Sequence, residues 1–550
     1  MMAPLFAASQ VTYIPRGAAE NHYLEREEIR RGRDSILNFS KTKPYSRKFV
    51  AEALSPADTH IEINAFDDDK VDKYNAWHAA INNLEVLPAE SRSSYTSEKT
   101  FLGRFYHTPA TFFEVDQPDF YLAVNPVFQY TVGSESNSDE HLFLNTRGIS
   151  IRGAIANKIG FYAYATDNQE RDAAYVRQWE QQRRSVPGTG FYQQFKQNGF
   201  DYFDARGYIT FTIAKYIGAQ FGYDKNFIGS GERSLFLSDF SAPNLFLKLN
   251  TRIWKFNYQN LFMELNSANR LNADQYLPKK YAVMHHLDLG VTPWLNLGVF
   301  EAVVFGRENH FEFGYLNPVI FYRSVEQQSG SFDNALVGLD AKANVAKRFQ
   351  FYGQFLLDEF SLKELRKGSG WWANKIGYQL GAKYVDAFSI SHLDLQLESN
   401  RVRPFTYSHS DSVANYTHYN QPLAHPLGAN FQEWIGIAKY QPFPKWQMEG
   451  KLVYYTQGKD TGSTSFGGNI FLPNLPPYRT MDYGYEVGSG IRSKTALASF
   501  VLSYEWKPNF YIEANALWRR ENETVLQAAD KNFILQLGVR WNAQRREFLF

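Results

Sequence analysis

The sequence predicts an all-β transmembrane barrel of about 18 antiparallel strands, of the outer-membrane kind, with a small N-terminal periplasmic α-helical subdomain. Three observations lead there. Aromatic residues make up 17% of the 550 residues (45 Phe, 35 Tyr, 11 Trp), yet mean hydropathy is negative and no apolar block is long enough for a membrane helix. Beyond Phe120, apolar and polar residues alternate with a period of two. Short and long connections between these runs also alternate along the chain. Lipid-facing and lumen-facing residues cancel in any averaging window, so a spanning barrel reads as polar overall.

Taken in chain order, residues 1–9 read as the tail of a secretory signal. A short apolar piece with Leu5 and Phe6 ends in Ala7, Ala8 and Ser9, which places the start of an exported mature chain near Gln10. Residues 10–115 read as a periplasmic, partly helical subdomain. Asp67, Asp68 and Asp69 precede Val71, Tyr74, Trp77, His78, Ile81 and Leu84, an apolar stripe at helical spacing that stops before Pro88. The acidic start suits the positive end of a helix dipole better than a calcium loop, whose spacing is missing. Shorter helical candidates lie at Tyr23 to Arg33 and Ser46 to Leu54.

Residues 116–550 read as the barrel. In the last strand Phe533, Leu535, Leu537, Val539 and Trp541 alternate with Ile534, Gln536, Gly538, Arg540 and Asn542, one face for lipid and the other mostly for the lumen. Tight connections near Asn157, Tyr216, Trp254, Thr292 to Trp294, Ala346 to Arg348, Asp386 to Ser389, Gln441 to Lys445 and Lys507 to Asn509 define about eight hairpins. Two further runs, Tyr121 to Val132 and Asn532 to Asn542, bring the count to about 18. Long connections fall between the tight ones, as expected when short turns line the periplasmic rim and long loops the extracellular rim.

Cysteine is absent, which excludes disulfides, thiolate metal sites and a lipoprotein anchor. Lys and Arg (58) balance Asp and Glu (57), so no nucleic-acid partner is expected. No catalytic motif, cofactor motif or metal-ligand spacing is present, and the chain reads as a non-enzyme without a cofactor. His285 and His286 are neighbours on a strand and point to opposite faces. His409, His418 and His425 share a loop at irregular spacing, which favours a packed or ligand-contacting aromatic loop over a metal site.

The long loops place aromatic rings beside hydrogen-bonding groups, the combination that binds sugars by stacking and by satisfying hydroxyls. The candidate glycan contacts are Trp371 and Trp372; Tyr322, Arg323 and Glu326; Asp224, Asn226, Arg233 and Asp239; and Tyr407, His409 and Tyr419. Loops folded into the lumen as a plug would need the same residues, so both readings stand at this point.

Three segments carry a resemblance: Gly222-Tyr-Asp-Lys-Asn-Phe-Ile-Gly-Ser-Gly-Glu-Arg-Ser-Leu-Phe-Leu-Ser-Asp239, Phe311-Glu-Phe-Gly-Tyr-Leu-Asn-Pro-Val-Ile-Phe-Tyr-Arg323 and Asn400-Arg-Val-Arg-Pro-Phe-Thr-Tyr407. They resemble the Wzi-type capsule assembly family, and within it the RemB-like branch associated with gliding motility. The resemblance implies an outer-membrane barrel over a periplasmic helical bundle, with a lectin-like role that anchors exported capsular polysaccharide at the cell surface. The expected partners are surface polysaccharide and outer-membrane lipid. Two other readings remain: a pore lined by Lys342, Asn344, Lys375, Gln379, Lys383, Gln396 and Glu398, and an accessory subunit whose N-terminal helices dock on periplasmic or outer-membrane machinery.

Overall fold

The computed structural model describes residues 12–54, 69–87, 92–97, 100–156, 158–267, 277–308, 310–330, 333–462, 464–525 and 529–550. The signal remnant, Asp67, Asp68 and the turn residue Asn157 lie outside them. Eighteen antiparallel strands close into one barrel. They are β1 Phe120–Glu135, β2 Ser138–Ile155, β3 Ile159–Arg171, β4 Gly199–Ala214, β5 Ile217–Asp224, β6 Asn244–Ile253, β7 Phe256–Asn266, β8 Lys279–Thr292 and β9 Leu295–Phe305. The second half comprises β10 Asn334–Val345, β11 Phe349–Glu359, β12 Lys375–Tyr384, β13 Leu393–Val402, β14 Phe431–Phe443, β15 Trp446–Lys459, β16 Ile491–Lys507, β17 Phe510–Glu523 and β18 Asp530–Trp541. β18 pairs with β1 in register from Trp541 opposite Phe128 to Ile534 opposite Glu135, so the barrel has no free edge. Closure satisfies every ladder amide internally, as a sheet in lipid requires.

Eight short connections lie on one rim. Trp254, Ala346, Lys347, Asp386 and Asn509 there adopt positive φ, which matches the right-handed strand twist to a tight reversal. The opposite rim carries the long loops and one short hairpin, at Ser136 and Asn137. Side chains alternate as a barrel demands: Phe533, Leu535 and Leu537 are about half exposed, whereas Ile534 is 2% exposed. Trp254, Trp294, Trp446 and Trp506 are exposed in or beside the tight turns and form an aromatic girdle.

Among the described residues, three α-helices precede the barrel: α1 Ala19–Arg31, α2 Arg47–Leu54 and α3 Lys70–Asn82. Gly32 ends α1 in the left-handed region, and the Asp69 carboxylate caps α3 by accepting the amides of Val71 and Asp72. Ile14, Leu24, Leu37, Tyr45, Val50 and Ala53 make a small core. The unit does not simply pack beneath the barrel. It enters the tight-turn mouth and docks on lumen-facing charges: Glu28 on Lys342 (2.6 Å), Glu25 on Lys383 (2.9 Å), and Lys41 on Asp288 and Asp340. Removing one partner of a fully buried pair such as Glu28 and Lys342 strands the other charge and typically costs about 3–5 kcal/mol, so the docking is sensitive to any single loss.

The tail after β18 turns back into the lumen. Glu547 pairs with Lys451 (2.8 Å), Arg546 with Glu170, and the Phe548 carbonyl accepts the Tyr175 hydroxyl. Phe550 ends among Tyr175, Trp179 and Phe240, which belong to the long-loop side.

Candidate functional site

The loop between β5 and β6, residues 225–243, descends into the barrel. Phe227 and Ile228 pair with Thr42 and Lys43 of the N-terminal segment, and the Gly229 amide donates to the Lys41 carbonyl (2.8 Å). Polar side chains of the wall receive its backbone. Glu398 accepts the amides of Glu232 (2.8 Å) and Arg233 (3.1 Å), and Gln354 accepts that of Leu235 (2.8 Å). Gly231 permits this approach, because a Cβ there would overlap the Glu398 carboxylate. Phe236 then stacks on Phe300 with the rings 4.4 Å apart and nearly parallel.

The candidate contacts on this loop therefore have internal partners. Asn226 accepts from Lys248 (3.1 Å), Arg233 donates to the Leu549 carbonyl (2.5 Å), Asp239 pairs with Arg16, and Asp224 accepts the Lys225 amide. Burial would raise the Glu232 carboxyl, but Lys451 and Arg16 hold it at about 2; burial beside Arg206 lowers Lys225 to about 8. The wall residues expected to line a pore are used in the same way. Lys342 and Asn344 meet Glu28, Lys383 meets Glu25, Lys375 donates to the Ser408 carbonyl, and Gln379 to that of Arg233.

The loop between β13 and β14, residues 403–430, packs above this plug. Tyr407 and Tyr416, both 1% exposed, donate to the carbonyls of Leu235 and Phe236. Its three histidines are not drawn together. His409 accepts the Asp411 amide, His418 bridges Asn266 and Pro243, and His425 lies 2.7 Å from Glu433. Burial lowers His418 to about 3. Tyr419 is partly exposed and packs against His418 and the Gly190 backbone.

Tyr322, Arg323 and Glu326 lie elsewhere. Helix α4, Ala174–Arg183, belongs to the loop after β3; α5, Tyr322–Ser329, carries these three residues in the loop after β9. Tyr322 packs with Tyr281, Val283, Val303 and Phe305, the residues that alternate with the lumen-facing Ala282, Met284, Ala302 and Val304. α5 thus rests on the outer wall of the barrel, over His285 (ring centroids 3.9 Å), while His286 faces inward to Asp340 (2.7 Å). Phe313, Val319 and Phe321 beside it are more than three-quarters exposed.

Trp371 and Trp372 occupy the loop between β11 and β12, which joins the loop between β15 and β16. Trp372 and Tyr485 donate their amides to Asp482 (3.0 Å) and Gly370 (2.9 Å). Trp372 is held by Arg479 over its ring at 4.2 Å and by Phe405, a structural role. Trp371, like Trp372, is partly exposed, and Tyr478 and Tyr483 of the joined loop are 36% and 53% exposed. The two tyrosines are not among the candidate glycan contacts read from the sequence. The run Leu475-Pro-Pro-Tyr-Arg-Thr-Met-Asp-Tyr483, with apolar rings in a Pro-rich loop, was the available signal. Asp482 and Glu486 of the same segment are exposed, and rings beside carboxylates are the groups that stack on sugars and hydrogen-bond to their hydroxyls.

The sequence profile of the family described as capsule assembly protein Wzi matches residues 123–532. Among solved structures, Wzi of Escherichia coli, an outer-membrane carbohydrate-binding β-barrel involved in group 1 capsule assembly, superposes with a TM-score of 0.56 at 14% identity, over 97% of this chain and 99% of its own. OprD of Pseudomonas aeruginosa follows at 0.43 and 11%, over 76% and 94%, and OccAB2 of Acinetobacter baumannii at 0.41 and 11%, over 76% and 98%. No curated protein sequence matches the chain. The barrel has the outer-membrane β-barrel fold.

Proposed function

The chain belongs to the Wzi capsule assembly family, and from that premise we propose that it is a non-enzymatic surface protein that binds extracellular polysaccharide through its outer loops. The observation that carries this reading is the joined loop pair bearing Trp371, Tyr478 and Tyr483 above a lumen largely taken up by the protein's own segments. With the interior occupied by plug, tail and helices, the outer face is where a polymer can meet the protein. Carbohydrate binding by the Escherichia coli barrel supports the ligand class. Each contact is weak, and retention of a polymer comes from many barrels holding one chain.

Binding to purified surface polysaccharide, measured with immobilised protein, tests this. Trp371→Ala and the pair Tyr478→Ala with Tyr483→Ala should each weaken binding about tenfold, the loss of roughly 1.4 kcal/mol of stacking. Trp372→Ala should instead lower stability. Unchanged binding in the first two variants would refute this location.

The finer reading, a part in gliding, rests on the RemB-like resemblance of residues 222–239, 311–323 and 400–407. The same loops would grip surface polysaccharide during movement. A deletion strain that keeps its capsule yet fails to spread supports it, and normal spreading counts against it. Docking on machinery would fall to the N-terminal helices, and crosslinking from Trp77 on α3 in cells would capture such a partner.

A further inference from the structure

Glu170 near the extracellular end of β3, Asp172 just beyond it and Glu180 on α4 meet inside the rim. One carboxylate oxygen from each lies within 4.8 Å of the others. Glu170 and Glu180 are 0% exposed. Both oxygens of Glu180, one of Glu170 and one of Asp172 are buried without a hydrogen-bond partner. Buried polar atoms are normally satisfied, and a fully buried carboxylate with neither oxygen satisfied is unusual.

The nearby cations do not answer this deficit. Arg546 engages only the other oxygen of Glu170. Arg177 is spent on Glu135 (3.5 Å) and Glu140 (3.1 Å), and on the Asp172 carbonyl (2.7 Å). Three carboxylates against one guanidinium leave a net charge of −2, with Glu170 and Glu180 fully buried and Asp172 partly so. Charge, oxygen chemistry and spacing all match a hard divalent cation, whose ligand oxygens at about 2.4 Å stand up to about 4.8 Å apart.

We propose that Glu170, Asp172 and Glu180 form a calcium site that ties α4 to the barrel wall. An all-oxygen donor set disfavours zinc, and Mg2+ sheds its waters reluctantly, which suits it poorly to a buried trio. The site's consequence follows from what α4 carries. Tyr175 and Trp179 pack on Phe240 of the plug loop and Phe550 of the tail. A bound cation therefore locks helix, plug and tail to the rim at extracellular calcium levels. The inference does not depend on polysaccharide binding.

The test uses the full-length protein in detergent, stripped with chelator. Tb3+ should luminesce when sensitised by Trp179 and Tyr175, Ca2+ should displace it, and Ca2+ should raise the melting temperature and slow proteolysis within residues 172–198. Glu180→Gln should weaken Tb3+ and Ca2+ binding at least tenfold, yet melt no lower than the wild type in chelator, because it relieves repulsion. That second readout separates loss of the site from misfolding. A wild-type melting temperature that follows pH but not Ca2+ would overturn the proposal in favour of a shared proton, as would undiminished binding by Glu180→Gln.

Discussion

Burial by itself would keep His78 neutral, yet Glu505 lies 3.1 Å from its Nε2 and Glu20 lies 3.7 Å from its Nδ1, and they raise it to about 9. A folded-state pKa above the ordinary 6.5 stabilises the protein fully below pH 6.5, and the contribution is lost as pH rises through about 9. The stability gap between wild type and His78→Gln should therefore be largest below pH 6.5, up to about 3 kcal/mol, and shrink towards pH 9; thermal melts across that range measure it. A gap that widens with pH would contradict the ion pair. Such partnerships are invisible in sequence: Glu505 stands hundreds of residues from His78, and nothing local marks either as the other's partner.

The strands, turns and helices were legible because each imposes its own local pattern. Period two persists through β17 and β18 because one side of every strand meets lipid, and the α3 stripe reads at helical spacing because one face must pack. The loops were not legible, since a ring beside a carboxylate suits sugar, lumen or lipid equally. Tyr407 reads like Trp371, but the first supports the plug and the second reaches the surface. The α5 segment is the sharpest case, lying outside the wall over His285 and Glu301. Two measurements belong at this scale. A nitroxide replacing Phe321 in a bilayer should be relaxed by oxygen more than by water-soluble reagents, and the reverse would place the segment in solvent. Gly338→Val should cost about 1–3 kcal/mol in chemical denaturation, because a larger side chain there overlaps the Phe236 ring that seats the plug.

At the scale of the whole molecule, barrel, plug loop, tail and N-terminal helices share one interior. A cavity of about 560 Å3 remains among them, lined by Arg16, Lys43, Glu232, Lys451, Arg540 and Arg545. Charges of both signs surround it, and the plug loop's pairing with the N-terminal segment crosses the lumen. In planar bilayers the protein should show no stable open channel, whereas removing residues 226–240 should create one; stable conductance in the intact protein would refute a closed interior. By itself the sequence determined the barrel, its strand count, which rim carries long loops and which strand faces meet lipid, because those follow from local periodicity against two solvents. Tertiary structure alone decided where each loop goes and how the helices and tail share the lumen. Those outcomes depend on pairing charges and backbone groups far apart in the chain, Lys41 with Asp340 and Glu232 with Glu398, whose proximity exists only once the barrel has closed around them.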